Sequence, residues 1–249
     1  AIGHGQNTII LVGNDAQQAG APILLLKVAE NLRDRGLRPV FLLQRGGPLL
    51  DEYRSLGPAL VLDEGWSVPG IASVISSETP VLANTCWSAP LLTQLDDGVP
   101  SLLLLHEMAQ YIDDHDLTAT IRKVSKIAVS MPGMQGPLAE RLDSSTQIRV
   151  IRPGLLATAS TARERKRVRQ KLGPSRASAP VFISAGYADH RKGFDRFVDA
   201  ARAIHSRMPT ATFVWLGAGS RWARLIASEA LQEGLPLVLP GFEQNPTAW

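Results

Sequence analysis

The sequence predicts an α/β protein with two parallel sheets in two domains. Short apolar runs alternate with helical patterns, which is typical of strand–helix–strand units on a parallel sheet. Small residues at 157–160 and a basic helix interrupt this alternation once, after which it begins again. The chain has 249 residues, enough for two domains of ordinary size. We therefore expect one domain over residues 1–154 and a second over residues 155–249.

The first domain is expected to hold about six strands. Six runs predict them, at 8–12, 39–43, 59–62, 81–83, 101–105 and 126–129, and a further run at 148–151 has the pattern of a last strand. A helix is expected from Pro22 to about Arg35, because proline suits a first helical turn and Gly36 can end the helix. Its apolar face is formed by Leu25, Val28, Ala29 and Leu32.

The second domain is expected to hold three strands, at 181–185, 212–216 and 237–239. Helices are predicted at 163–172, 193–207 and 221–233. A parallel sheet needs both faces covered and usually has more neighbouring strands than this. We therefore expect the second domain to be incomplete at Trp249.

Composition narrows the class of protein. Hydrophobic residues make up 45% of the chain and charged residues 20%, and no apolar run reaches the roughly 20 residues that span a bilayer. The single cysteine, Cys86, excludes a disulfide within the chain and fits a reducing, cytoplasmic compartment. The net charge of +3 is too small to indicate nucleic acid. The basic run 163–169 leaves contact with an anionic membrane surface open, although a solvated helix face is favoured.

The strongest candidate binding feature is Lys192, at the start of the helix predicted from Gly193. Free backbone N–H groups and the positive end of the helix dipole favour an anion there, and an ammonium group adds charge for a phosphate. Arg191 either helps to hold that phosphate or faces water. A solvated lysine in a first helical turn is the alternative. No His, Cys, Asp and Glu set has the spacing of a metal site, so no metal is expected.

Three further candidate positions follow predicted strands. Gly20 lies in the loop after the first strand, where the lack of a Cβ lets the backbone approach a phosphate; an ordinary turn glycine is an equal alternative. His106 follows strand 101–105 at its carboxyl end, where open α/β sheets bind ligands. A neutral imidazole can donate to or accept from a hydroxyl, whereas a structural histidine is the alternative. Gly217 and Gly219 either border a ligand or serve turn geometry.

The run from Ser184 to Asp195, followed by Phe213 to Gly217, resembles the C-terminal domain of the family-4 glycosyltransferases, which have the GT-B fold. In that family a strand ends in glycine, a short loop follows, and a Lys-Gly pair opens the next helix. The first half agrees in order and spacing at Gly20-Ala21, His106-Glu107 and Ile151 to Gly154. The family commonly has an arginine where this chain has Tyr187, and a phenol cannot neutralise a phosphate. Either Arg191 compensates, or donor binding is weaker or arranged differently.

The resemblance implies two Rossmann-like domains, acceptor-side first and donor-side second, with the active site between them. It implies transfer of a sugar from a nucleoside diphosphate to an acceptor hydroxyl on a glycan, lipid or small molecule, with retention and without a metal ion or other cofactor. Lys192, Arg191, Gly193 and Gly20 would then contact the diphosphate, and His106 the sugar. Tyr187, Gly217 and Gly219 would lie on the nucleotide side.

Two alternative functional hypotheses stay open. The family's pair of glutamates in the later C-terminal domain has no counterpart before Trp249, so the chain can also be a truncated or degenerate transferase domain that acts as a binding or assembly module. A GT-B sugar-nucleotide epimerase is the second alternative. It would need acidic catalytic residues in the first half, where Asp96, Asp97 and Glu107 do not form a convincing set.

Overall fold

Parallel strands form two separate sheets, one in each of two structural units. The structure is a computed structural model that describes residues 7–65, 78–95, 99–114, 117–122, 124, 126–142, 144–152, 154, 159–172 and 179–249. Unit 1 comprises Ala1–Leu156 and unit 2 comprises Ala157–Trp249, so the boundary lies two residues after the predicted position. Asp96, Asp97 and Pro153, named in the sequence-based hypotheses, lie outside the described residues.

The sheet of unit 1 has seven parallel strands in the order β3-β2-β1-β4-β5-β6-β7. The strands are β1 (Thr8–Gly13), β2 (Arg38–Leu43), β3 (Ala59–Val61), β4 (Val81–Asn84), β5 (Ser101–Leu105), β6 (Lys126–Val129) and β7 (Gln147–Val150). The expected number was about six; each strand lies within one residue of a predicted run. The strand order reverses between β1 and β4, and open α/β sheets bind ligands at the carboxyl ends beside such a reversal.

Strands β1 and β2 are buried on both faces of this sheet. Successive side chains of a strand point to opposite faces. Ile10 and Val12 accordingly belong to one apolar cluster, whereas Ile9, Leu11 and Phe41 belong to another. Burial on both sides explains why these strands read as continuous apolar runs rather than as alternating patterns.

Six helices of unit 1 lie among the described residues. They are α1 (Gly20–Asp34), α2 (Leu50–Leu56), α3 (Ala89–Leu92), α4 (Ala109–Asp114), α5 (Thr118–Ile121) and α6 (Gln135–Ala139). Helix α1 begins two residues before the predicted start at Pro22 and ends one residue before Arg35. Gly36 follows with a φ of 87°, a left-handed conformation that suits glycine at a helix end.

Unit 2 has a three-stranded parallel sheet in the order β10-β9-β8. Its strands are β8 (Val181–Ala185), β9 (Thr212–Leu216) and β10 (Leu237–Gly241), and its helices are α7 (Ala162–Lys171), α8 (Phe194–His205) and α9 (Arg221–Gln232). Trp215 of the central strand is 1% exposed. The rings of Phe194 and Phe197 meet its indole edge-on, with centroids 5.0 and 5.3 Å away, and so pack α8 onto the sheet.

Helix α7 carries the basic run, and a capping box closes its first turn. Thr161 Oγ1 accepts a hydrogen bond from the backbone N–H of Glu164, and the Glu164 carboxylate accepts one from the backbone N–H of Thr161. Val168 is its buried residue. No helix within the described ranges has both the length and the apolar character needed to cross a bilayer.

Candidate functional site

Three glycines follow one another across the carboxyl edge of the unit 2 sheet. Gly186 follows β8, Gly217 follows β9 and Gly241 ends β10, with φ values of 143°, 135° and 83°. The backbone N–H of Gly186 donates to the carbonyl of Leu216 (2.8 Å), and that of Gly217 donates to the carbonyl of Gly241 (2.7 Å). The three loops therefore lie close together where they leave the sheet, and their backbone conformations favour glycine.

The close approach of the first two loops accounts for Gly217. A Cβ added there would lie 2.2 Å from the carbonyl oxygen of Gly186. Gly219 forms a parallel bridge with Ala188, whose N–H donates to the carbonyl of Ala218 (2.8 Å). The turn-geometry alternative thus has a physical basis at Gly217. At Gly219 a Cβ would meet Ala188 and Ala223 at ordinary contact distances of 3.4 and 3.6 Å, and contact of either glycine with a nucleotide stays a prediction.

The loop from Gly186 to Gly193 is shaped by Asp189. The Asp189 carboxylate accepts a hydrogen bond from the backbone N–H of Lys192 (2.8 Å), and the N–H of Gly193 donates to the carbonyl of His190 (3.0 Å). Gly193 has a φ of 72°, and α8 begins at the next residue. An aspartate that bonds nearby backbone and a left-handed glycine together form a tight turn, which places Lys192 immediately before the helix.

Four basic side chains line an open depression of about 500 Å³ at this helix start. The lining residues are His190, Arg191, Lys192, Gly193 and Arg196. Among the described residues, the cationic side chains of Arg191, Lys192 and Arg196 have no ion-pair partner. Two acids are nearby: Asp189, whose carboxylate accepts from the backbone N–H of Lys192, and Asp195, whose Oδ2 lies 3.9 Å from Nε2 of His190. Three cations without an ion-pair partner beside the amino end of a helix form an environment that favours an anion.

Lys192 and Tyr187 lie near the depression. The Lys192 stem runs back over the sheet edge, since its Cγ and Cδ lie 3.7 Å from the position a Gly186 Cβ would take. Tyr187, in the loop that leads to the depression, is 50% exposed. The sequence hypotheses missed Arg196. It lies in the first turn of α8, three residues after the left-handed Gly193, so its position beside Lys192 depends on the turn and is not recorded by helix periodicity.

His106 lies at the carboxyl edge of the unit 1 sheet and is joined to the start of α1 through Asn84. Nε2 of His106 lies 2.8 Å from Oδ1 of Asn84, the last residue of β4. Nδ2 of Asn84 donates to the carbonyl of Ala21 at 2.8 Å. The structure thus brings His106 and the first turn of α1 to one edge. Gly20 is exposed there, and a Cβ on it would meet no described atom within 4 Å, so the packing of its own unit does not require glycine.

Glu107 is half-buried, although its sequence context favours exposure. Its Oε2 accepts hydrogen bonds from the backbone N–H groups of Cys86 and His106, each at 3.2 Å. Burial, and next the nearby Glu107 carboxylate, raise the pKa of the Cys86 thiol, so the thiol is protonated at neutral pH. Burial also lowers the pKa of His106, against a smaller opposing effect of Glu107.

Backbone strain lies at the same edge. Thr85, between Asn84 and Cys86, has a φ of 78°, the one positive value at a non-glycine position in the described chain. A left-handed conformation is costly for a β-branched residue, and such strain is concentrated at functional sites. The described residues hold no group of three His, Cys, Asp or Glu side chains that could bind a metal ion.

No protein-family model matches the chain, and no curated protein matches it in sequence. Solved structures do match. The Anabaena protein HepE in complex with UDP-glucose superposes with a TM-score of 0.78 at 17% identity, over 95% of this chain and 69% of HepE. A glycosyltransferase from Rickettsia africae gives 0.65 at 15% identity, over 98% and 70%. The UDP-forming trehalose-phosphate synthase of Burkholderia vietnamiensis gives 0.60 at 12% identity, over 96% and 74%. The likeness shows that this chain has the GT-B fold predicted from its sequence.

Proposed function

We propose that this protein is a glycosyltransferase of the family-4 type, which transfers a sugar from a nucleoside diphosphate to an acceptor hydroxyl. The observation that carries the proposal is the cluster of Arg191, Lys192 and Arg196 around the start of α8. A diphosphate is a compact, multiply charged anion, and these three side chains have no acidic partner among the described residues. The Anabaena HepE structures, which were determined with UDP, with UDP and glucose, and with UDP-glucose, support the same ligand class.

The chemistry follows from where charge develops. The bond between the sugar and the diphosphate breaks, and the acceptor oxygen bonds the same carbon from the same face. The acceptor proton passes to an oxygen of the leaving diphosphate. Negative charge grows on that diphosphate in the transition state, so fixed cations stabilise the transition state more than the ground state. Side-chain cations can supply this charge without a metal ion, and we therefore propose a metal-independent reaction. Retention is proposed because the family resemblance implies it.

Each candidate residue has a role in this proposal. Lys192 acts as a compact charge on the diphosphate, and Arg191 and Arg196 add planar donors that can replace the arginine absent at Tyr187. Gly20 leaves the first turn of α1 open, and neutral His106 binds a sugar hydroxyl. The acceptor is a hydroxyl of a glycan, a lipid or a small molecule.

The test is calorimetry with UDP, GDP, ADP and dTDP on the protein and three variants. Lys192→Met and Arg196→Met each remove one charge but keep an apolar stem. Each should weaken the binding of the preferred nucleoside diphosphate by about tenfold, or about 1.4 kcal/mol. Arg207→Met is the matched control, because Arg207 is exposed just beyond the opposite end of α8. Binding of none of the four nucleotides by the folded protein, or equal weakening in the control, would contradict the proposal.

A further inference from the structure

The positions of the nitrogen and oxygen atoms around Asn84 determine which of them carry hydrogen atoms. A backbone carbonyl can only accept, so the side-chain atom of Asn84 that faces the Ala21 oxygen at 2.8 Å is the amide nitrogen. The amide oxygen then faces Nε2 of His106, also at 2.8 Å. An amide oxygen can only accept as well, and therefore Nε2 of His106 carries a hydrogen.

Burial favours the neutral form of His106. Its burial lowers its pKa, and Glu107 is the acidic group whose charge opposes that shift. The Glu107 carboxylate is occupied by two backbone N–H groups, and the neighbouring Cys86 thiol is protonated. A neutral imidazole with its hydrogen on Nε2 has a lone pair on Nδ1. The sequence left open whether this ring donates to or accepts from a hydroxyl. With the hydrogen on Nε2, Nδ1 can only accept.

We propose that Asn84 is a positioning residue that holds His106 as a hydrogen-bond acceptor, so that the site selects a sugar with a neutral hydroxyl over a uronic acid at that position. This inference rests on the proposed function, in which His106 contacts the sugar. A hydroxyl can donate to Nδ1. An ionised carboxylate has no hydrogen to donate, and it would also approach the negative charge of Glu107.

Asn84 is well placed for this task. It is 2% exposed and lies at the end of a central strand, and the nitrogen and oxygen of its side-chain amide join β4 to the first turn of α1 and to the residue after β5. Ser88, which is fully buried, donates its hydroxyl hydrogen to the Asn84 carbonyl at 2.8 Å and fixes the backbone of the same residue. The imidazole orientation is therefore set by three elements rather than by His106 alone.

The first experiment uses the ligand-free protein and is independent of glycosyl transfer. Long-range ¹H–¹⁵N NMR distinguishes the two neutral tautomers and the charged ring, and His106→Gln assigns the signals. The wild type should show the neutral form with hydrogen on Nε2 at pH 7. Asn84→Asp keeps the size of the side chain but loses the hydrogen bond to the Ala21 carbonyl and sets a carboxylate against the ring, so in the folded variant it should raise the pKa of His106 and give the charged form. A wild-type ring that carries its hydrogen on Nδ1, or that is charged, would overturn the proposal.

The second experiment measures sugar selection. The wild type should bind the glucose form of the preferred nucleotide at least about tenfold more tightly than the glucuronic acid form, and Asn84→Asp should lose most of that preference because a charged ring can donate from both nitrogens. Equal wild-type affinities for the two sugars would overturn the inference. If no nucleotide sugar binds at all, the proposed function fails and sugar selection fails with it, whereas the NMR result still decides whether Asn84 sets the tautomer.

Discussion

At the scale of single residues, Gly217 shows how one missing side chain allows two loops to meet. The loops after β8 and β9 are so close that a Cβ at this position would overlap the Gly186 carbonyl. The positive φ adds a second reason for glycine, because L-residues rarely adopt it. Both reasons apply to the unliganded protein, so the need for glycine at this position does not depend on contact with a ligand.

Replacement of Gly217 by alanine should therefore be costly. We expect Gly217→Ala to destabilise unit 2 by about 3 kcal/mol or more, from the sum of a strained φ and a clash with backbone. Gly234→Ala is the matched control, because Gly234 has a φ of 84° but open space around its Cβ position, and it should cost about 1 kcal/mol. Chemical denaturation followed by tryptophan fluorescence measures both, and similar losses would show that the clash is relieved.

The site residues that the sequence did not reveal depend on contacts between distant segments. Asn84 meets Ala21 and His106, which lie 63 and 22 positions away in the chain, and no periodic pattern records such a pair. The Asp189 carboxylate accepts a hydrogen bond from the backbone N–H of Lys192, and the sequence does not predict the backbone conformation of that turn. Lys192 and His106 could be proposed because each directly borders a recognisable strand or helix.

At the scale of elements, strands were predicted more closely than helix ends. Strand β5 coincides with its predicted run, 101–105, because a strand buried among neighbours is a compact apolar segment bounded by polar residues. Helix α8 begins one residue after and ends two residues before its predicted limits. Helix ends are set by individual hydrogen bonds, which apolar periodicity does not record.

Helix α7 allows a direct test of such an end. The Thr161-x-x-Glu164 spacing is the sequence signature of a capping box, and both reciprocal hydrogen bonds are present. Thr161→Ala should destabilise unit 2 by about 1 kcal/mol, because the hydrogen-bond acceptor of the first turn is lost. Thr161→Ser keeps the hydroxyl and should be close to wild type in urea unfolding. A loss in the serine variant as large as in the alanine variant would mean that the methyl group, not the cap, matters.

At the scale of the whole molecule, the fold class was predictable but the strand order was not. Alternating strands and helices specify parallel sheets, since a parallel connection needs a crossover. Which side of β1 each later strand joins depends on packing between distant segments. The order with β1 between β2 and β4 therefore came from the structure.

The charge of the molecule makes a further prediction. The net charge is only +3, so strong salt dependence of ligand binding would have to come from a local cluster. If Arg191, Lys192 and Arg196 bind a diphosphate, a rise in NaCl from about 0.05 M to about 0.5 M should weaken that binding by about tenfold, because the Debye length falls below the span of the cluster. Calorimetry across a salt series measures this. The Lys192→Met variant should show a shallower dependence, and an unchanged slope would remove Lys192 from the ligand contact.

Trp215 joins the loop between Gly186 and Gly193 to the hydrophobic core of unit 2. Its indole N–H donates to the Gly186 carbonyl at 2.8 Å, while its ring packs edge-on against the helix that carries Arg196. The loop that leads to Lys192 is thus already fastened before any ligand arrives. A ligand then loses little affinity to ordering that loop, and a slow rearrangement of the loop should not limit its association rate.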